Sequence, residues 1–293
     1  MDLAANLASI QQRITAACAR SGRGAEAVRL VAVTKNHPPE TVRAAVALGQ
    51  TLFGENRVQE ARAKIPLCPG AARWHFIGHL QTNKCRDVVR GFEMVESVDS
   101  LHLAQELERA CEKAARTLPI LLEVNVAGEA SKFGYRPEAL LAEFKQLNAL
   151  SRLEIHGLMT VAPWSPVPER VRPIFRRLRE LREACEQILG APLPELSMGM
   201  SGDFEAAVEE GATLVRIGTA LFGARAAANK AAKEGAADGR IQPDSAAFFH
   251  GATPCSKCER TMVENNHVRI ISCACGRTSM GNMWLNISGS SIQ

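Results

Sequence analysis

Lys35 ends LVAVTK (residues 30–35), a run of apolar, mostly small or β-branched residues too short for a helix. Asn36, His37, Pro38 and Pro39 then stop it. A lysine delivered to the end of a buried strand is held by an anion, is kept neutral enough to attack a carbonyl, or is simply solvated in a loop. Far along the chain stand GMSGD (199–203) and GTALFG (218–223). Their small residues let backbone N–H groups approach an anion, and Ser201 and Thr219 add hydroxyl donors, although such glycines also serve in ordinary tight turns. Arg216 precedes Gly218 by two residues and so shares its face of a strand.

These residues need a scaffold. Leu3, Leu7, Ile10, Ile14 and Ala17 form the stripe of an amphipathic helix over residues 2–20. Strand patterns follow at 30–35, 51–56, 73–78, 94–99, 120–126, 154–161, 195–200 and 214–220, each followed by a helical stretch. One long helix carries Val171, Ile174, Leu178, Leu181 and Ile188 inward. Eight strand–helix units within residues 1–225 predict an α/β chain folded as a (β/α)8 TIM barrel. An open doubly wound sheet is the alternative, but no glycine-rich dinucleotide turn follows the first strand.

In such a barrel the active face is built from strand ends, and phosphate sites form after strands seven and eight. Strand eight closes against strand one about 4.8 Å away, which brings Lys35 beside the two small-residue loops. An amine next to a phosphate cradle can hold pyridoxal 5′-phosphate (PLP) as a Schiff base, or can bind a phosphosugar with Lys35 as an aldolase-type amine. Arg216 favours the first, since it can reach below the phosphate to a ring nitrogen. It can equally form a salt bridge inside the barrel, to Glu123.

AVTK (32–35), FGENRVQE (53–60), WHFIGHLQTNK (74–84), SVD (97–99), EVNVAGEASKFG (123–134), GLMTV (157–161) and LSMGMSGDFEAAVEEGATLVRIGTALFGAR (196–225) closely resemble the pyridoxal phosphate homeostasis protein family, also called YggS or PROSC. The resemblance covers residues 1–225 in order and implies a fold-type III barrel, like the amino-terminal part of alanine racemase. It implies PLP on Lys35, the phosphate at Ser201, Gly218 and Thr219, Arg216 facing the pyridine nitrogen, and Asn56 lining the pocket. His79 stands where many relatives have proline and is read as pointing to solvent.

The function so implied is PLP binding in vitamin B6 homeostasis; buffering and delivery of PLP without catalytic turnover, apo PLP-dependent enzymes as recipients and a monomer or weak dimer as the working form are the further expectations. The alternative is a weak PLP-dependent amino-acid racemase. Racemisation needs a base on each face of the carbanion, and in the alanine racemases that this barrel resembles the second is a tyrosine from an added β-domain. Here the single tyrosine is Tyr135, and no run of alternating strands after residue 225 suggests such a domain.

Composition narrows the classes. The net charge of +4 comes from 35 basic and 31 acidic residues that are interspersed, so no nucleic-acid partner is expected. The first residues lack a basic segment before an apolar one, and nowhere do about 18 apolar residues run together, so a cytoplasmic location without membrane insertion is expected. Of nine cysteines, Cys18, Cys68, Cys85, Cys111 and Cys185 are scattered, as suits buried thiols. Residues 226–254 read as a linker and 255–293 as a cysteine-rich tail. There Cys255, Cys258, Cys273 and Cys275 have the spacing of a small zinc knuckle, with one residue too few in the second pair; a disordered appendage is the alternative.

Overall fold

The first apolar stripe folds as a helix, α1 (Leu3–Arg20), capped by Asp2, whose carboxylate accepts the Ala5 N–H at 3.0 Å, and it buries Leu7, Ile10, Ile14 and Ala17. It belongs to a computed structural model that describes residues 2–223 and two later strands, Arg260–Glu264 and His267–Ser272. After α1 come β1 (Arg29–Val33), α2 (Pro39–Ala47), β2 (Leu52–Glu55), α3 (Val58–Lys64), β3 (Arg73–Phe76) and α4 (Cys85–Gly91). Next are β4 (Met94–Val98), α5 (Leu101–Ala114), β5 (Leu118–Glu123), α6 (Pro137–Asn148) and β6 (Leu153–Met159). The series ends with α7 (Arg172–Leu189), β7 (Glu195–Ser197), α8 (Phe204–Glu209), β8 (Leu214–Ile217) and the short α9 (Thr219–Phe222). The eight strands pair in parallel in chain order, and β8 closes on β1, which is the expected (β/α)8 barrel.

Each strand stops one to three residues before the point the sequence pattern suggests. The apolar pattern runs on into residues that pack beneath the loops, while the hydrogen-bond ladder ends where the backbone turns. Lys35 is therefore in the turn after β1 rather than on the strand. Ile188, expected inward, is 39% exposed, because α7 buries Phe175, Leu178, Leu181 and Cys185 and its last turn leaves that face.

Two layers fill the barrel. Val31, Leu52, Met94, Leu121, Met159 and Leu214 form an apolar cluster apart from the main core between strands and helices. On the same strands, at positions two residues along, stand Glu96, Glu123 and Arg216, so the interior turns polar toward the carboxyl ends. Four of the five scattered cysteines are buried, and burial pushes the thiols of Cys85 and Cys185 up to about 12 and that of Cys111 to about 11, as inert core groups require.

The chain divides into two compact units, Met1–Ala231 and Ala232–Gln293. In the second, β9 (Arg260–Glu264) and β10 (His267–Ser272) pair antiparallel, with Arg260 opposite Ser272. No strands were expected there. Cys255, Cys258, Cys273 and Cys275 lie outside the described residues.

Candidate functional site

The turn that carries Lys35 is well defined. His37 N–H donates to Thr34 O at 2.9 Å and Asn36 has φ +63°, so residues 34–37 form a turn with Lys35 at its first corner and the left-handed residue at its second. Asparagine tolerates that backbone better than most residues. The β1–β8 ladder pairs Ala32 with Ile217, and the next step sets Val33 against Gly218, where a Cβ would lie 3.3 Å from Val33 O. The Lys35 turn and the Gly218–Thr219 loop are thus neighbours.

The other small-residue loop joins them. Gly199, at φ +93°, lets the chain leave β7 against α8; a Cβ there would sit 2.6 Å from the Ala207 Cβ. Two residues on, Ser201 Oγ accepts the Ala220 N–H at 3.2 Å, tying this loop to the start of α9. Ser201, Gly218 and Thr219 therefore come together, with the small residues and hydroxyls that an anion site uses. Across β1, Asn56 follows β2, and its backbone packs where a Cβ on Gly78 would be 2.3 Å from Asn56 O. Asn56 Oδ1 is buried without a hydrogen-bond partner, an acceptor whose burial is costly until a ligand donor meets it.

Arg216 lies inside the barrel, 4% exposed. Its Nη1 donates to Ser197 Oγ at 2.6 Å and its Nη2 to Thr160 O at 2.8 Å, not to Glu123. Ser197 donates onward to Glu96 Oε2 at 2.6 Å, and His75 Nδ1 meets Glu96 Oε1 at 2.7 Å. Burial alone would raise the Glu96 carboxyl, but the His75 hydrogen bond and the charges of His75 and Arg216 hold it below the usual carboxylate range. Glu123 lacks such bonds: burial, only partly countered by Arg216, pushes its carboxyl up to about 7. Burial lowers the Arg216 pKa, while Glu96, Glu123 and Asp203 act against this, so the guanidinium stays a cation.

Lys84, Lys132, His79 and Tyr135 lie on other segments. Lys132 pairs with Glu129 at 2.6 Å and donates to Val161 O at 3.2 Å, and Lys84 ends a one-turn helix before α4. His79 is partly exposed but held: its ring stacks on Phe133 at 3.6 Å and its Nδ1 lies 3.2 Å from Asp99 Oδ2. Tyr135 is 4% exposed in the core, and burial, then Glu143, pushes its hydroxyl above the usual range. Sequence reasoning missed His75, Glu96 and Ser197 under the site, and Glu55, Glu60 and Lys64 behind Lys35. The signal of the strand residues was present only as polar residues inside apolar runs, such as Glu96 in MVESV, while Glu60 and Lys64 are charged residues of a helix.

A closed parallel barrel with a lysine after its first strand and two joined anion-suited loops after its last two defines a barrel of the alanine racemase amino-terminal class. The family model described as "Alanine racemase, N-terminal domain" matches residues 5–226. Within that class, the chain belongs to the pyridoxal phosphate homeostasis protein family. It is 46% identical over 226 residues to the pyridoxal phosphate homeostasis protein of Pseudomonas aeruginosa, covering 76% of this chain and 96% of that one. To the protein of the same name from Aquifex aeolicus it is 43% identical over 226 residues, covering 77% and 99%. The solved structure of PipY from Synechococcus elongatus with PLP bound matches at a TM-score of 0.67 and 40% identity, covering 76% of this chain and all of that one.

Proposed function

We propose that this chain binds PLP covalently through Lys35, and that it buffers and delivers the cofactor rather than turning substrates over. The observation that carries the reading is the contiguous arc on the carboxyl face: Ser201 joined to Ala220, the neighbour of Thr219, across two loops, Gly218 against Val33, Lys35 on the next turn, and Asn56 beyond it. The groups present fit PLP. The loops suit its phosphate, the lysine its aldehyde, and the unpaired Asn56 Oδ1 is ready for a polar substituent. When bound, PLP supplies an aldehyde carbon for an amine and an electron-withdrawing ring.

Delivery rather than racemisation is supported by Tyr135. Racemisation needs a second base opposite Lys35, and this tyrosine is buried in the core with its hydroxyl pushed further from ionising. Arg216, a permanent cation in the polar layer below the arc, would also oppose protonation of a nearby ring nitrogen and so weaken the ring as an electron sink. The recipients in this reading are apo PLP-dependent enzymes in the cytoplasm, and the working form is a monomer or weak dimer.

The test is a purified, dialysed sample. Bound PLP that passes to an apoenzyme, with no saturable racemisation, is the expected result. Racemisation of a common amino acid at about one turnover per second or faster would establish the enzyme instead.

A further inference from the structure

Lys64, on α3, is 5% exposed, and its ammonium has one acceptor for each of its three N–H bonds. These are Thr34 O at 2.8 Å, Glu55 Oε1 at 2.6 Å and Glu60 Oε1 at 2.8 Å. Thr34 O belongs to the peptide bond that enters Lys35. The peptide bond that leaves it is held as well, because the Asn36 N–H donates to the same Glu60 oxygen at 2.5 Å. Glu55, fully buried, also accepts the Thr34 hydroxyl at 2.7 Å. Both peptide groups around Lys35 are thus gripped from behind by one turn of α3, and the left-handed Asn36 is held in place by a carboxylate.

We propose that Lys64, with Glu60 and Glu55, is a positioning residue for Lys35, fixing where the turn presents its amine to a cofactor whose phosphate is held by separate loops. This rests on the PLP reading above and concerns residues that lie outside those loops. In forming the link, the Nζ lone pair of the neutral Lys35 amine adds to the aldehyde carbon, and C=N replaces C=O as the oxygen leaves as water with the two amine hydrogens. A ring anchored by its phosphate leaves Lys35 little room to search, so a small displacement of the turn weakens the covalent link while the phosphate contacts persist. An ion-pair cluster that served only to fasten α3 to the barrel would have no such selective effect.

Two ligands separate these roles: PLP, and pyridoxamine 5′-phosphate, which shares the ring and phosphate but has no aldehyde for Lys35. Lys64→Met alone would strand the buried Glu55 charge and endanger folding, so the variants are Glu60→Ala and the double change Lys64→Met with Glu55→Gln, which leaves no buried ion unpaired. Glu60→Gln, which keeps an acceptor oxygen for Asn36, serves as the rescue. Glu60→Ala and the double variant should bind PLP about tenfold more weakly than wild type, equivalent to about 1.4 kcal/mol, while pyridoxamine 5′-phosphate affinity stays within about twofold and Glu60→Gln restores PLP binding. Equal losses for both ligands, or no loss for PLP, would overturn the positioning role. A wild-type protein that takes no PLP on Lys35 would instead overturn the reading beneath it.

Discussion

Arg216 Nη1 donates to Ser197 Oγ at 2.6 Å, so one small hydroxyl on β7 stands between a buried guanidinium and the buried carboxylate of Glu96 that it serves in turn. With His75 on the far oxygen of Glu96, the chain of bonds links β3, β4, β7 and β8 across the barrel interior. Low local dielectric makes each member expensive to leave unpaired. Ser197→Ala should therefore cost about 1–3 kcal/mol of stability, read from urea denaturation, because it strands one N–H of Arg216 and one oxygen of Glu96. A loss of under about 0.5 kcal/mol, the scale of a neutral surface change, would show the relay to be idle.

Glu123 gives a pH signature. Its folded pKa is raised from 4.5 to about 7 by burial, so between these values the folded state holds a proton that the unfolded state has released. Its contribution is nil at low pH and becomes increasingly unfavourable as pH rises through that window. The cofactor-free Glu123→Gln protein should match wild type near pH 4 and exceed it by about 3 kcal/mol at pH 8, an order-of-magnitude figure from the linkage. Parallel stability curves for the two proteins across that range would contradict the placement.

Gly78→Ala tests the packing that seats Asn56. The new methyl would sit 2.3 Å from a backbone oxygen that cannot swing aside. Overpacking of this kind costs about 1–3 kcal/mol, and PLP affinity should fall with it as Asn56 moves. Unchanged thermal unfolding and unchanged affinity together would show that the contact gives way freely.

The zinc expectation for Cys255, Cys258, Cys273 and Cys275 is a proposal with a direct check. Arg260 and Ser272, which are paired, follow Cys258 by two residues and precede Cys273 by one. Metal analysis of the full chain should find about one zinc per chain, and none at stoichiometric level would end the idea.

The barrel and the meeting of its two small-residue loops were legible because each depends on residue type at a spaced position: apolar runs that alternate with helical stripes, and small or hydroxyl residues after strands seven and eight. Lys35 was legible as the residue that ends β1's apolar run, but its seat in a turn was not. That turn is set by Lys64, Glu60 and the left-handed Asn36, two of which lie on α3, outside the strand-end pattern that singles out Lys35. The polar layer was hidden for a related reason. A single glutamate in MVESV fits an outward position as well as an inward one, and only closure of the sheet decides between them. Arg216 could be assigned to the interior from its spacing, yet its partners proved to be Ser197 and Thr160 rather than Glu123. The β9–β10 pair was not read from the sequence, although its strands of five and six residues are as long as those of the barrel, because no helical stripe accompanies them to repeat the barrel's pattern.

The most direct measurement is borohydride reduction of the PLP-loaded chain followed by peptide mapping, with Lys35→Ala alongside. Attachment through Lys35 predicts one labelled lysine, Lys35 itself, and no reducible PLP in the variant. Label on Lys84, Lys132 or any other lysine, or undiminished label in Lys35→Ala, would contradict it.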